Sequence, residues 1–274
     1  MISLIRIAAA ALLAVALVAP ASAQQKFEPQ VGQAGKDVIW VPTPDEVVDR
    51  MLTMAQVGPN DFHMDLGSGD GKIVIAAAKR GAKSLGIEYN PDMVKLAQDN
   101  ARKAGVSERA SFRRADIFET DFSQATVITL YLLPTLNMKL RPQLLQMKPG
   151  TRIVSHSFTM EDWEPDEVSS IDGRRVYFWM VPANVMGSWS LDIGGKTTDL
   201  TLEQTFQKIN GWVALGEVHG GLREPRLSGA NIAFSYVDDK AVRRDLSGTV
   251  NGRQMSGTFR DQSGATGSWT ATKK

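Results

Sequence analysis

The densest chemistry in this chain lies in one run, Met64-Asp65-Leu66-Gly67-Ser68-Gly69-Asp70-Gly71-Lys72-Ile73-Val74-Ile75. It has the form of a strand that breaks into a glycine turn and re-emerges as a helix. Gly67, Gly69 and Gly71 lack a Cβ and tolerate positive φ, so the backbone can bend sharply and a ligand can lie against it. The spacing also allows a dinucleotide turn. However, Lys72 stands where the third glycine of G-x-G-x-x-G belongs, and Asp70 puts a carboxylate where a pyrophosphate needs bare amides at a helix start. Asp65 and Asp70, flanking Ser68, suit a ligand with cationic groups instead, such as the ammonium and sulfonium of S-adenosylmethionine.

Two further acids fall where a doubly wound sheet presents them. Ser84-Leu85-Gly86-Ile87 reads as a second strand ending at Glu88, about 20 residues after the turn, where a carboxylate can accept both hydroxyls of a ribose. Arg114-Ala115-Asp116-Ile117-Phe118 reads as the end of a third strand. Asp116 can accept a hydrogen bond from an adenine amino group while Ile117 or Phe118 covers the ring. Glu88 or Asp116 taken alone is better explained by a solvated loop or a helix cap; their joint appearance after successive strands points to a site.

With these residues in place, the chain resembles the class I S-adenosylmethionine-dependent methyltransferases. Within that superfamily, Val41-Pro42-Thr43-Pro44, the Asp65-to-Ala78 run, Tyr131-Leu132-Leu133-Pro134 and Lys139-Leu140-Arg141-Pro142 look like the family that holds the mitochondrial lysine methyltransferases of the ATP synthase c subunit and the adenine nucleotide translocase. The resemblance covers about Trp40 to Pro182. It implies S-adenosyl-L-methionine as cofactor, held by Thr43, Asp65, Gly67, Ser68, Gly69, Asp70, Glu88, Asp116 and Ile117. It also implies a protein substrate, a membrane-associated one included. Acceptor orientation then falls to Tyr131 and Pro134.

The elements that must position these residues can be read from periodicity. Pro44 followed by Asp45 and Glu46 starts a helix, and Val47, Val48, Met51, Leu52 and Ala55 form its apolar stripe. Thr43 then either approaches the cofactor or caps that helix. Helices are expected over 72–80 and 91–104, the second opening on Pro91 and stopping before Gly105. Strands follow over 125–133, 151–158 and 174–181. Right-handed crossovers bring the strand ends to one edge, where the cofactor belongs.

Tyr131 can line the acceptor channel or be a core aromatic of a buried strand. His156, near the end of the fifth strand, reads as a general base or acceptor-orienting residue, or as a histidine bonded to a neighbouring loop. Asn137 and Trp163 are weaker candidates of the same kind.

Composition changes at Val181-Pro182, after which short alternating strands are punctuated by Gly, Asn and Asp. Eight strands are expected, over 188–193, 197–207, 212–216, 222–227, 231–236, 243–250, 253–259 and 266–272, with Asn251-Gly252 as a two-residue hairpin turn. Gly187-Ser188-Trp189 and Gly267-Ser268-Trp269 bracket the region as if the first and last strands met. The fold class is therefore α/β: a Rossmann-like class I methyltransferase sheet over 40–182, followed over 187–274 by a small all-β antiparallel barrel or sandwich. The aromatics Trp189, Phe206, Trp212, Phe234, Phe259 and Trp269 either fill a closed barrel or line a face for a partner or an apolar ligand.

The chain's 274 residues, 43% of them hydrophobic, suffice for two modest cores. A net charge of +1 gives no global field that would favour nucleic acid. With no cysteine, disulfides, thiolate metal sites and lipoprotein acylation are excluded, and His63, His156 and His219 are too few for a histidine metal cluster. Met1–Arg6, the apolar run Ile7–Val18 and Ala21-Ser22-Ala23 have the form of a cleaved export signal over 1–23, followed by a linker over 24–39. Export to a bacterial periplasm stands in tension with the supply of S-adenosylmethionine. Three function classes follow: a protein-lysine methyltransferase, a small-molecule methyltransferase, and a non-catalytic envelope protein that retains an adenosyl-ligand pocket.

Overall fold

The computed structural model describes residues 27–274; the stretch read as an export signal lies outside them. The first unit runs α1 (Asp45–Met54), β1 (Phe62–Leu66), α2 (Lys72–Lys79), β2 (Lys83–Glu88), α3 (Pro91–Lys103), β3 (Ala110–Arg114), β4 (Val127–Leu130), α4 (Pro134–Leu144), β5 (Arg152–His156), β6 (Glu167–Ile171) and β7 (Arg174–Met180). Its seven-stranded sheet has the order β3-β2-β1-β4-β5-β7-β6. The five strands from β3 to β5 are parallel, β7 is antiparallel to β5, and β6 is antiparallel to β7.

Both faces of this sheet are covered, which is why the central strand β4, Val-Ile-Thr-Leu, is buried at every position. On one face α1 and α2 pack Val47, Met51, Leu52, Ile73 and Ala77 against Val127, Val154 and Val176. On the other, Leu140 and Leu144 of α4 meet Met64, Ile128, Ile153 and Trp179. Local signals set the helix starts: the Asn90 side chain accepts from Asp92 N at 2.9 Å ahead of Pro91 at the start of α3. β4 stops at Leu130 rather than Leu133, because Pro134 opens α4 and leaves residues 131–133 as a turn above the sheet.

The second unit runs β8 (Gly187–Ile193), β9 (Lys196–Thr205), β10 (Lys208–Leu215), β11 (Val218–Gly221), β12 (Arg223–Ser228), β13 (Asn231–Val237), β14 (Arg243–Asn251), β15 (Gln254–Asp261) and β16 (Thr266–Lys273). These nine strands form one antiparallel sheet, β11-β10-β9-β8-β16-β15-β14-β13-β12, that curls into a nearly closed barrel. The first and last strands do meet, with Ile193 opposite Trp269 and Trp189 opposite Lys273. Trp189, Phe234 and Trp269 fill the interior. Gly248 and Gly257 face each other across β14 and β15, and a Cβ at Gly248 would stand 2.7 Å from the Trp269 ring. That close approach accounts for the two Ser-Gly pairs at these positions.

Four expectations need correction. The barrel has a ninth strand, β11, and the β14–β15 turn is Gly252-Arg253, one residue later than Asn251-Gly252, with Gly252 at φ 59°. Phe206 and Trp212 are not barrel core. Phe206 sits in the β9–β10 turn and stacks on Trp163 of the first unit at 5.9 Å, while Trp212 packs against His219. Finally, part of the expected 24–39 linker is folded: residues 32–40 make a hairpin closed by an Ala34–Ile39 bridge, with Trp40 N donating to Gln33 O at 2.9 Å.

Candidate functional site

The switch in strand direction of growth between β1 and β4 opens a crevice at the strand C-termini. A cleft of about 780 Å³ lies there, within the range of small-molecule sites. The glycine turn forms its floor. Gly67, Gly69 and Gly71 have φ of 86°, 52° and 83°, values at which a side chain would be strained. Gly67 N and Ser68 N both donate to Ile87 O at 2.9 and 3.0 Å, which ties the turn to the end of β2. At Gly71 space is also limiting, since a Cβ would stand 2.7 Å from the Phe112 ring.

Five carboxylates line the cleft: Asp65, Asp70, Glu88 and Asp116 along the strand ends, and Asp37 on the hairpin over 32–40. Glu88 accepts from Gly69 N at 3.0 Å and Asn90 N at 2.9 Å, so its carboxylate is held in place from two sides. Asp65, at the end of β1, is buried and accepts from Thr129 Oγ1 at 2.7 Å. Burial, followed by the nearby charges of Glu88 and Asp70, pushes its carboxyl up to about 7. Burial also raises Asp70. Behind Asp65 a buried chain continues from Thr129 to His63 Nε2 at 2.8 Å and from His63 Nδ1 to Ser84 Oγ at 2.6 Å. With Thr129 donating to Asp65, His63 Nε2 donates to Thr129 and Ser84 donates to Nδ1. Burial keeps that imidazole neutral, its pKa pushed down to about 3.

Beyond β4 the lining becomes neutral: Thr43, Tyr131, Leu132, Leu133, Leu136 and Phe158. The Tyr131 ring lies 4.0 Å from that of His156 and 6.3 Å from that of Phe158. His156 is buried and is not among the residues that line the cleft, and neither is Pro134, which opens α4. His156 Nδ1 lies 3.3 Å from Thr43 Oγ1, and burial, then the charge of Arg174, pushes its pKa down to about 4. Asn137 is buried beneath the cleft and donates to Thr159 O at 3.1 Å, and Trp163 is enclosed at the contact with the barrel.

The structure thus brings Thr43, Asp65, Gly67, Ser68, Gly69, Asp70, Glu88, Asp116, Ile117 and Tyr131 to one cleft. The sequence reading missed the hairpin over 32–40, whose Lys36 pairs with Asp116 and whose Trp40 borders Gly69. It also missed Tyr89, Met93 and Phe158 as lining residues. Lys36 and Asp116 are 80 residues apart, beyond the reach of any periodicity argument.

This set fits S-adenosylmethionine. Its carboxylates answer a cationic molecule rich in donors, and the turn glycines leave a cradle that a Cβ at Gly67 would narrow, standing 3.1 Å from Leu132. Asp65 and the Gly67 turn would hold the amino-acid end, Glu88 the ribose, and Asp116 with Ile117 the adenine.

The description ANTKMT methyltransferase domain matches residues 65–167. The chain is 43% identical over 151 residues to the protein-lysine N-methyltransferase of Saccharolobus islandicus (strain REY15A), covering 53% of this chain and 94% of that protein. The Mus musculus lysine N-methyltransferase of the ATP synthase c subunit is 32% identical over 131 residues, 47% of this chain, which spans 53% of the mouse protein's length. A crystal structure of an RNA methyltransferase from Salinibacter ruber in complex with S-adenosyl-L-homocysteine is 53% identical with a TM-score of 0.52, covering 53% of this chain and 96% of that one. Fold, cleft and relatives agree that the chain belongs to the S-adenosylmethionine-dependent methyltransferase family that includes the Saccharolobus protein-lysine N-methyltransferase.

Proposed function

We propose that this chain methylates the side-chain amine of a protein lysine. The observation that carries the reading is the neutral lining beyond β4, where Thr43, Tyr131, Leu132, Leu133, Leu136 and Phe158 include no charged side chain. An ammonium that enters loses its water without gaining a counter-ion there, which favours the neutral amine that has a lone pair for attack. When bound, S-adenosylmethionine supplies a methyl group on a cationic sulfur. The chain's own task is to align the amine with it, and alignment at about 3 to 3.5 Å contributes more than a strong base.

Thr43 and Tyr131 carry the hydroxyls in this lining that can receive an amine hydrogen. Neutral His156 lies with Nδ1 3.3 Å from Thr43 Oγ1, a hydrogen bond that fixes where the Thr43 hydroxyl points. His156 is then a positioning residue, and Pro134 sets the turn that carries Tyr131. Around the mouth, Ile39, Val41 and Leu133 are 60%, 38% and 43% exposed. This apolar lip suits a lysine presented on an apolar, membrane-associated protein segment.

The name of the Salinibacter relative raises an RNA acceptor, which calls for a cationic track beside the cleft. Two lysines that line this cleft are instead committed to carboxylates: Lys36 to Asp116, and Lys72 to Asp45 at 2.9 Å. Purified chain incubated with labelled S-adenosylmethionine and a membrane-protein fraction should place label on lysine, identified by mass spectrometry. Label confined to RNA or to a small molecule would overturn the lysine assignment. We also infer that residues 1–23 direct export; a mature N-terminus at Gln24 in the periplasmic fraction supports this, and an intact Met1 in the cytosol refutes it.

A further inference from the structure

Residues 32–40 lie across the cleft that holds the cofactor on the reading above, yet they are attached to the body of the protein only lightly. Among the described residues, their backbone hydrogen bonds are internal or to Gln30: Gly32 N to Trp40 O, Gln33 N to Gln30 O, Gly35 N to Val38 O and Trp40 N to Gln33 O, each 2.9 Å. Three side chains reach across. Lys36 pairs with Asp116 and lies 4.8 Å from the Tyr89 ring centroid, Gln33 Nε2 reaches Met93 Sδ at 3.8 Å, and the Trp40 indole borders the glycine turn. A Cβ at Gly69 would stand 2.9 Å from Trp40 Nε1, so the bare glycine lets the indole close on the turn.

We propose that residues 32–40 are a strap of the cofactor site, with Trp40 touching the bound cofactor and Lys36 acting as a catch that holds the strap down on Asp116. The proposal rests on the assignment of the cleft to S-adenosylmethionine. The catch and the adenine can share Asp116. A carboxylate offers about four lone-pair positions, of which Phe118 N takes one on Oδ1 at 2.9 Å and Lys36 one on Oδ2. The catch is also weak enough to open. The Lys36 side chain is 36% exposed and that of Asp116 17%, and an ion pair open to water at its cationic end shifts an equilibrium by about fivefold. Cofactor therefore enters and leaves when the strap lifts, without unfolding of the sheet.

The test uses the full chain and S-adenosylhomocysteine as probe. The chain has six tryptophans, and Trp40 is the one that lines the cleft. Binding should change the fluorescence of the wild type. Trp40→Phe should abolish most of that change while calorimetry still records binding. Lys36→Met should speed dissociation in stopped flow about fivefold, and raising salt should bring the wild type towards the variant's rate by screening the pair. A full fluorescence change in Trp40→Phe, or an unchanged or slower dissociation in Lys36→Met, would overturn the strap. No calorimetric binding to the wild type would overturn the cofactor assignment itself, and the strap with it.

Discussion

Asp65 gives the sharpest test, because the site should make it costly to the fold and necessary to the ligand. Its carboxyl is buried among acids and pushed up to about 7, whereas in the unfolded chain it titrates near about 4. Between these values the folded state holds a proton that the unfolded state has lost, so stability falls as pH rises through this window. Asp65→Asn removes the titration and keeps an acceptor for Thr129. Relative to the wild type, its stability should therefore improve by about 3 kcal/mol more at pH 8 than at pH 5. At about 2–4 °C per kcal/mol, that is a relative gain in melting temperature of about 6–12 °C. His63 and His156, pushed down to about 3 and about 4, favour the fold more as pH rises past the value of an unfolded imidazole, but they do so in both proteins and cancel in the comparison. Scanning calorimetry of both proteins at the two pH values measures the effect, and titration with S-adenosylhomocysteine at pH 8 should show the stabilised variant binding more weakly. A melting difference independent of pH, or a variant that binds as well as the wild type, would refute the reasoning.

The remaining predictions concern the turn, the ribose acid and the barrel. Glu88→Ala removes the carboxylate held by Gly69 N and Asn90 N and should weaken S-adenosylhomocysteine binding by about 2 to 3 kcal/mol in calorimetry. Gly71→Ala combines a φ of 83° with a Cβ 2.7 Å from Phe112, and should destabilise the first unit by about 2 to 4 kcal/mol in denaturant titration. Residues 183–274, which contain the whole barrel core from Ala183 to Ala271, should fold alone with strand-type circular dichroism and a cooperative melt. Phe206→Ala removes the stack on Trp163 and the Arg141 contact, and should separate the melting of the two units into two calorimetric transitions.

What could be read from the sequence followed the length scale of its cause. The glycine turn, Glu88 and Asp116 were legible because strand, turn and acid recur within a short βαβ unit. The barrel's closing strands were legible from the repeated Gly-Ser-Trp. β6 and β11 were not: Glu167–Ile171 and Val218–Gly221 are largely exposed edge strands without a buried alternating face. The hairpin over 32–40 reads as a linker because it has no apolar core of its own, and its attachment depends on partners such as Asp116 and Met93. His156 was placed near the site by its strand, but whether it faces ligand or core depends on Tyr131 lying over it, a packing fact that spacing does not carry.

The pairing of β8 with β16 makes assembly of the barrel a late event. The strand that opens the second unit finds one of its two neighbours only when residues 269–273 are available, a long-range closure of the kind that slows folding. The first sheet is complete by Met180 and can form while the rest is still emerging. Until β16 docks, β8 and β15 each present an unpaired edge, open to the same strand of another copy. Loss of the last strand should therefore cost solubility before it costs chemistry: a chain ending before Thr266 would keep its cleft and aggregate through its barrel.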